Sequence, residues 1–453
     1  MSRPLRVAIV GSGPSGMYAA DALVSQTDIP ATVDVLDRLP VPFGLVRYGV
    51  APDHVSIRSV RDTLDKVFDK EGVRFVGNVN VGADISMADL HEYFDAVVLT
   101  YGASRDRRLG VPGEDLEGSV AATDFVAWYC GHPDAERGTF EALLETSTSA
   151  VVVGVGNVAV DVTRVLAKTV PELDQTDMPQ HVLDALDRSS ITDIHVLGRR
   201  GPAQATFTTK ELRELGELLE ADVIVDEGDV VVDAASEQTI ATDKAVARNV
   251  DVIREWSTRT PAGKSRRIHL HFCARPVEVT GEDRVQSVVV EKTQLDGTGN
   301  AVGTGETFVI PADLVVRSVG YRGTAIEGVP FDASSNVIPH LEGRVLGGDG
   351  PTPGEYVAGW IKRGPTGIIG TNKKDAAATV AALLADAASG ALPSASAGTV
   401  EAFDSFLADR GVDVVDTRGW RSIDAAERAL GGSRGRARTT LHETADLLRA
   451  ARA

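Results

Sequence analysis

The chain predicts an α/β fold in which one strand–turn–helix device is used twice, and three observations carry that prediction. The first is the run Gly11-Ser12-Gly13-Pro14-Ser15-Gly16 directly after the apolar stretch Val7-Ala8-Ile9-Val10. The second is Gly154-Val155-Gly156-Asn157-Val158-Ala159 directly after Val151-Val152-Val153. In such a turn one glycine makes the tight bend and the next lets the backbone approach a pyrophosphate. The third small residue lets the helix pack close to the strand, and the phosphate sits on the helix N-terminus. The third observation is the charge ending each following strand, roughly 20 residues or more beyond the turn, where a ribose is read. After the first turn, Val33-Asp34-Val35-Leu36 ends in Asp37, a carboxylate suited to a ribose diol. After the second, Ile194-His195-Val196-Leu197 ends in Gly198-Arg199-Arg200, and paired guanidiniums suit a 2′-phosphate. Two Rossmann-like domains are therefore expected to hold two different dinucleotides. One is unphosphorylated on its ribose (FAD or NAD), and the other is NADP(H).

Taken in order, the first βαβ unit spans about Leu5 to Asp37, and an irregular segment rich in Pro, Gly and Val follows from Arg38 to Pro52. A helix is expected near Val55–Asp69, a strand pair near Arg74–Val81 and a buried strand at Ala96–Thr100. Gly110-Val111-Pro112-Gly113 reads as a turn at the first domain crossing. The second unit runs from Ala150 to Arg200 with a helical insertion at Pro171–Ser189. Val288–Lys292 and Thr307–Ile310 then form a hairpin, and the buried strand Leu314–Gly320 closes the domain. From about Tyr321 the chain returns to the first domain. There Gly347–Gly354 reads as a loop carrying Asp349, and Ala387–Gly398 as a flexible connection. Thr439–Ala453 has apolar residues at helical spacing. The expected first domain is thus discontinuous, residues 1–106 and 322–453 with a C-terminal extension, and residues 107–321 are inserted into it.

At 453 residues the chain exceeds one ordinary core, and two or three domains are expected. Its 43% hydrophobic and 25% charged residues match a soluble globular enzyme. No apolar stretch reaches the ~18–20 residues of a membrane span. The first strand starts within about five residues of Met1, which leaves no room for a signal peptide, so a cytoplasmic location is expected. The two cysteines, Cys130 and Cys273, lie far apart. That argues against a CxxC redox pair, and so against an NADPH–disulfide reductase, and excludes a four-cysteine iron–sulfur cluster. A net charge of −19 argues against nucleic acid or anionic membrane as a bulk partner, and an acidic protein partner would need a local basic patch.

Beyond its two turns the chain resembles the adrenodoxin reductase family, the ferredoxin–NADP⁺ reductases built on the glutathione-reductase plan. The resemblance rests on Phe43–His54 (FGLVRYGVAPDH), Gly154–Asp161 (GVGNVAVD), Gly198–Pro202 (GRRGP), Phe207–Leu212 (FTTKEL) and Trp360–Lys374 (WIKRGPTGIIGTNKK). It continues in the tail through Trp420–Asp424 and Gly435–Arg438, so it covers nearly the whole chain. It implies bound FAD, NADPH as hydride donor, and a ferredoxin as one-electron acceptor that serves haem oxidases such as cytochromes P450. Carried onto matching positions, FAD is held by Gly11, Gly13, Ser15 and Gly16, by Asp37, Leu45 and Val81, and by Trp360, Gly367, Ile368 and Ile369. NADP(H) is held by Gly154, Val155, Gly156, Asn157, Val158, Arg107, Arg199, Arg200, Glu211 and Gly367.

A hydride carries two electrons and an iron–sulfur partner accepts one, so a flavin belongs between them, and that chemistry is the cofactor's own. Gly367, lacking a side chain, leaves the flavin face open. The helix expected to start at Ile368–Asn372 offers N-terminal amides to negative charge on the flavin. The catalytic candidates are His54, Glu211 and Asp161. His54, beside Asp53, suits the proton that accompanies flavin reduction. Glu211 suits the nicotinamide ribose or carboxamide. Asp161, four residues beyond Asn157 and so on one helix face, is placed to join the His54 network. For docking an acidic ferredoxin the basic candidates are Lys244, Arg248 and Arg254, then Arg266 and Arg267, and also Lys362, Arg363, Lys373 and Lys374. Two other readings stay open. One is the electron-input subunit of a larger complex, although such subunits carry a cysteine-rich segment ahead of their first turn. The other is a non-enzymatic FAD/NADP(H) redox sensor with negligible turnover.

Overall fold

The structure, a computed structural model, describes residues 3–453, and the chain divides into two compact units. The first comprises the residues up to Val50, His54–Arg105 and Tyr321–Ala453; the second comprises Ala51–Asp53 and Asp106–Gly320. In the first unit, β1 (Leu5–Val10), β2 (Ala31–Asp37), β3 (Val73–Gly77) and β4 (Ala96–Leu99) lie parallel in the order β4-β1-β2-β3. β4 is buried at every residue, as a strand covered on both faces must be. Helix α1 (Pro14–Ser25) opens with proline at its first position, where the missing N–H leaves no bond unmade. It starts where the strand order reverses around β1, the place where α/β sheets bind ligands.

The second unit carries β5 (Ser119–Ala121), β6 (Ser149–Val153), β7 (Asp193–Leu197), β8 (Ala221–Val225) and β9 (Arg266–His271). These are followed by β10 (Ala274–Thr280), β11 (Ser287–Leu295), β12 (Ala301–Pro311) and β13 (Leu314–Arg317). Six of them form a parallel sheet in the order β5-β13-β6-β7-β9-β8, while β10-β11-β12 make a separate antiparallel sheet. Val151, Val153, Val288, Val290 and Val315 join the two sheets in one apolar core. The helices that matter below are α2 (Asn157–Ala167), α3 (Thr209–Gly216) and α4 (Lys244–Ser257).

Back in the first unit, β14 (His340–Leu341), β15 (Arg344–Gly347) and β16 (Gly350–Val357) extend the sheet beyond β4. β17 (Val415–Asp416) adds an antiparallel edge beside β3. Helix α5 (Ile369–Ser389) packs on α1. The tail is fastened by a buried cluster in which Glu427 accepts from both Arg47 and Arg438. Trp420 meets Phe43 edge-on at 5.5 Å between ring centroids. Among the described residues no helix is long and apolar enough to cross a membrane.

Several expectations need correction. The single helix expected near Val55–Asp69 is three short pieces, Val55–Arg58, Val60–Asp65 and a 3₁₀ turn at Lys66–Asp69. Its β-branched residues and Ser59 weaken helix propagation there. The strand pair expected near Arg74–Val81 is one strand, β3, and Val81 makes only an isolated bridge to Ile85. The Gly347–Gly354 loop is mostly strand: β15 and β16 meet in a two-residue turn, Gly348-Asp349, so Asp349 itself is a turn residue. The flexible connection is shorter than expected, because α5 runs to Ser389. Its remainder is tied down by Ala395 N–H donating to Asp95 at 2.9 Å and Ala397 N–H to the Glu92 carbonyl at 2.9 Å.

Candidate functional site

In the first unit the glycine turn divides its labour. Gly11 has φ 107°, and a Cβ there would stand 2.7 Å from the Tyr101 Cα. A Cβ on Gly16 would strike the Gly11 carbonyl at 2.0 Å, whereas one on Gly13 would meet nothing within 4 Å. The outer two glycines therefore serve packing, and the middle one keeps a face open. Thr100 Oγ1 donates to the Gly11 carbonyl at 2.8 Å and fixes the bend. Asp37, ending β2, reaches back to the turn: Oδ2 accepts from Ser12 N–H at 3.0 Å and from the Ser12 hydroxyl, and Oδ1 accepts from Leu39 N–H at 3.0 Å. Burial pushes its carboxyl above the ordinary range.

The segment before Leu45 is strained toward the same turn. Phe43 takes φ 84°, rare for a bulky residue, and its N–H donates to the Ser12 carbonyl at 3.1 Å. Ser15 stands against Gly359, where a Cβ would come within 2.3 Å of its Oγ. The next residue, Trp360, has a buried indole Nε1 with no hydrogen-bond partner. Gly367 takes φ 86°, and a Cβ there would stand 2.8 Å from Thr371 Cγ2, so its glycine answers a left-handed backbone packed on Thr371 and not the open face that was expected. Ile368 follows, 73% exposed despite its size, and Ile369 begins α5 as expected. Val81 is in the unit's apolar core. His54 is buried at the start of the Val55–Arg58 turn, its carbonyl accepting from the Ile57 and Arg58 amides at 3.0 Å.

The second unit repeats the device. Gly154, φ 135°, would place a Cβ 2.2 Å from the Ser318 carbonyl, while Gly156 has only Thr206 Oγ1 at 3.4 Å. Neither α1 nor α2 has a side-chain N-cap or an acidic residue in its first turn. Asn157 Oδ1 accepts from Thr208 N–H at 2.9 Å, which ties α2 to the start of α3. Val155 and Val158 are half-buried, and Arg107 is exposed. At the end of β7, Arg199 is exposed and forms no ion pair among the described residues. Arg200 makes one long bond to the Gln204 carbonyl, 3.4 Å.

Asp161 and Glu211 come together on a residue that the sequence reading missed. Arg164, 1% exposed, donates to Asp161 at 2.8 Å, to Glu211 at 3.2 Å, and to both oxygens of Asp53 at 2.6 and 3.0 Å. Lys168 adds a contact to Asp53 at 2.8 Å. Burial alone would raise the Asp53 carboxyl, but these two cations hold it well below the usual carboxylate range. The signal for Arg164 was its spacing three residues after Asp161 on one helix face.

The basic docking candidates are narrowed. Lys244, Arg248 and Arg254 do share α4, but Arg254 pairs with Glu237 at 3.3 Å and Arg267 with Asp193 at 2.5 Å. Arg266 donates to the Lys168 carbonyl, and Lys362 and Arg363 both pair with Asp375. Lys244, Arg248, Lys373 and Lys374 remain exposed.

The residues present suit the two groups that the resemblance implies. The open Gly13, the uncapped α1 and the unpartnered Trp360 indole fit a flavin dinucleotide. The open Gly156, the uncapped α2 and the unpaired Arg199 fit one with a 2′-phosphate. Comparisons with known proteins agree. Residues 9–61 match the NAD(P)-binding Rossmann-like domain family. The chain is 44% identical to the NADPH-ferredoxin reductase FprA of Mycobacterium tuberculosis, with 99% of each chain covered. It is 40% identical to the mitochondrial NADPH:adrenodoxin oxidoreductase of Arabidopsis thaliana, over 99% of this chain and 96% of that one. The solved structure of Mycobacterium tuberculosis FprA in complex with NADPH matches with a TM-score of 0.92 at 42% identity, each chain covered in full. On likeness of that extent, the chain belongs to the family of NADPH–ferredoxin and adrenodoxin reductases, FAD- and NADP(H)-dependent oxidoreductases.

Proposed function

We propose that this protein takes a hydride from NADPH and delivers the electrons singly to an acidic ferredoxin-type iron–sulfur protein in the cytoplasm, supplying haem oxidases of the cytochrome P450 kind. The first domain, residues 1–106 with 322–453, holds FAD, and the inserted residues 107–321 hold NADP(H). One observation carries the reading: the strand after each glycine turn ends in opposite charge, Asp37 in one unit and Arg199-Arg200 in the other. Bound FAD supplies the conversion of a two-electron hydride into one-electron steps.

The chain's own residues supply position and charge. Asp37 Oδ2 already accepts twice from Ser12, so the ribose hydroxyl falls to Oδ1, which has one lone pair still to use. The amides opening α1 and α2 face the two pyrophosphates. Arg199 and Arg200 take the 2′-phosphate with charge-assisted bonds, and Arg107 adds a third cation to the coenzyme. Glu211, held by Arg164, accepts from the nicotinamide end, and Asp161 is fixed beside it. His54 handles the accompanying proton at its imidazole. Arg248 on α4 is an exposed docking cation alongside Lys244, with Arg254 secondary because Glu237 already pairs it.

The test is an anaerobic titration of the purified protein with NADPH, with and without a [2Fe–2S] ferredoxin. Visible flavin bands that bleach, followed by ferredoxin reduction, are the expected result. Bleaching without transfer points to another acceptor. A colourless protein that takes up no FAD overturns the reading.

A further inference from the structure

All three carbonyls of the Gly198-Arg199-Arg200 turn are taken up by one strap that a dinucleotide fingerprint does not require. Gly198 O accepts from Ala274 N–H at 2.9 Å, Arg199 O from Thr293 Oγ1 at 2.8 Å, and Arg200 O from Cys273 N–H at 3.0 Å. The strap is itself tied together, because Thr293 N–H donates to the Cys273 carbonyl at 2.8 Å. Cys273 takes φ 51°, a left-handed backbone uncommon for a side chain with a Cβ, so this contact is held at a cost. Thr293 is unusual in its own strand. It follows a register irregularity after Glu291 and is only 6% exposed, between the exposed Lys292 and Gln294. Valine would fill the same space, so packing alone does not call for a hydroxyl. What the hydroxyl adds is the bond to the Arg199 carbonyl. With the carbonyls drawn toward the strap, the Arg199 side chain stands exposed.

We propose that Thr293, through Oγ1, is a positioning residue for coenzyme choice, fixing the Arg199 peptide so that the paired guanidiniums favour a 2′-phosphorylated dinucleotide over its unphosphorylated counterpart. This rests on the reading that Arg199 and Arg200 take the 2′-phosphate.

The experiment compares Thr293→Val, Thr293→Ser and the double change Arg199→Ala/Arg200→Ala in the FAD-loaded protein, with NADPH and NADH as donors to an artificial dye. Thr293→Val is expected to raise KM for NADPH about three- to tenfold, the scale of one neutral hydrogen bond, with kcat and KM for NADH unchanged. Thr293→Ser keeps the donor and is expected to behave as wild type. Should the valine variant not fold, Thr293→Ala against Thr293→Ser compares the same bond. An unchanged KM for NADPH, or equal changes with both donors, overturns the inference, since a structural role would not distinguish the two coenzymes. The arginine double change reports on the underlying reading. It should lower the NADPH-to-NADH preference at least about a hundredfold, from two charge-assisted contacts. If it does not, that reading fails and the inference fails with it. If it does while Thr293→Val keeps its preference, only the inference fails.

Discussion

Replacing Arg164 by methionine should loosen the second unit more than any surface change could. The side chain is 1% exposed, and its partners Asp53, Asp161 and Glu211 are at least nine-tenths buried. Methionine keeps most of the bulk and removes the charge, so the loss is electrostatic and not a cavity. Asp53 keeps Lys168 at 2.8 Å, but Asp161 and Glu211 lose their guanidinium. Breaking a buried ion pair by removing one partner costs about 3–5 kcal/mol, because the survivor is left charged in a poorly solvating place. Two-state unfolding is a poor assumption for a chain of two units, so native-state hydrogen exchange of the α2 amides is the better assay. That free energy corresponds to faster exchange by about two to four orders of magnitude. Adding Asp161→Asn to Arg164→Met should recover part of the loss, since one of the carboxylates that the guanidinium balanced is then removed. Acceleration of less than about tenfold in α2 would refute the view that Arg164 is the electrostatic centre of this unit.

Other outcomes follow from the same geometry. Gly13→Ala should fold normally and lose bound FAD, because its Cβ meets nothing in the protein yet fills the open face. Gly11→Ala should lose about 1–3 kcal/mol of stability from backbone strain, and FAD content against thermal unfolding separates the two. His195 and His271, bonded at 3.0 Å, are each lowered to about 4 from an ordinary 6.5, by burial first and then by neighbouring imidazoles. The unfolded chain therefore binds more protons in that interval, and their share of stability falls as pH drops from 6.5 toward about 4. Asp229, raised to about 6 by burial, works in the opposite sense. The test is accordingly the difference in thermal stability between wild type and a His195→Asn/His271→Asn variant across pH 4.5–7, which should shrink that window's slope. Arg248→Glu should raise KM for ferredoxin and flatten its salt dependence, with dye reduction unchanged; a fall in both activities would remove Arg248 from the docking face.

What the sequence disclosed and what it hid divide along physical lines. Both glycine turns, their strands and the charges ending β2 and β7 were legible, because each depends on residues close together in the chain. The break-up of the Val55–Asp69 helix was hidden, since period alone does not weigh β-branched residues against propagation. β17 was hidden because two residues are too few for a pattern, and their partner, β3, lies more than three hundred positions earlier. Arg164 was hidden for a related reason: only Asp161 is local to it, while Asp53 and Glu211 reach it from segments 111 and 47 positions away. Thr293 was concealed because the expected strand stops at Lys292, and its partner, the Arg199 carbonyl, lies more than ninety positions earlier.

The Arg164 network also changes how Asp161 and Glu211 are to be understood. Both stood as catalytic candidates, Glu211 for the nicotinamide ribose or carboxamide and Asp161 for the His54 network, and acid–base work would ask more of them, since such a group must gain and lose a proton readily during turnover. Each spends one carboxylate oxygen on the Arg164 guanidinium, a charge-assisted bond to a group that cannot itself serve as a proton source. Arg164 therefore makes these two carboxylates fixed acceptors. Fixed acceptors suit the orientation of hydroxyl and amide donors on a nicotinamide nucleotide, where a small misplacement lowers the rate steeply. Hydride transfer itself asks for alignment and not for a protein acid. On that division Glu211→Gln should impair hydride transfer through geometry, leaving the pH dependence of flavin reduction as it is in the wild type. A His54→Gln change should alter that pH dependence while leaving NADPH affinity intact. A Glu211→Gln variant whose pH profile shifts would give the carboxylate an acid–base role and overturn the division.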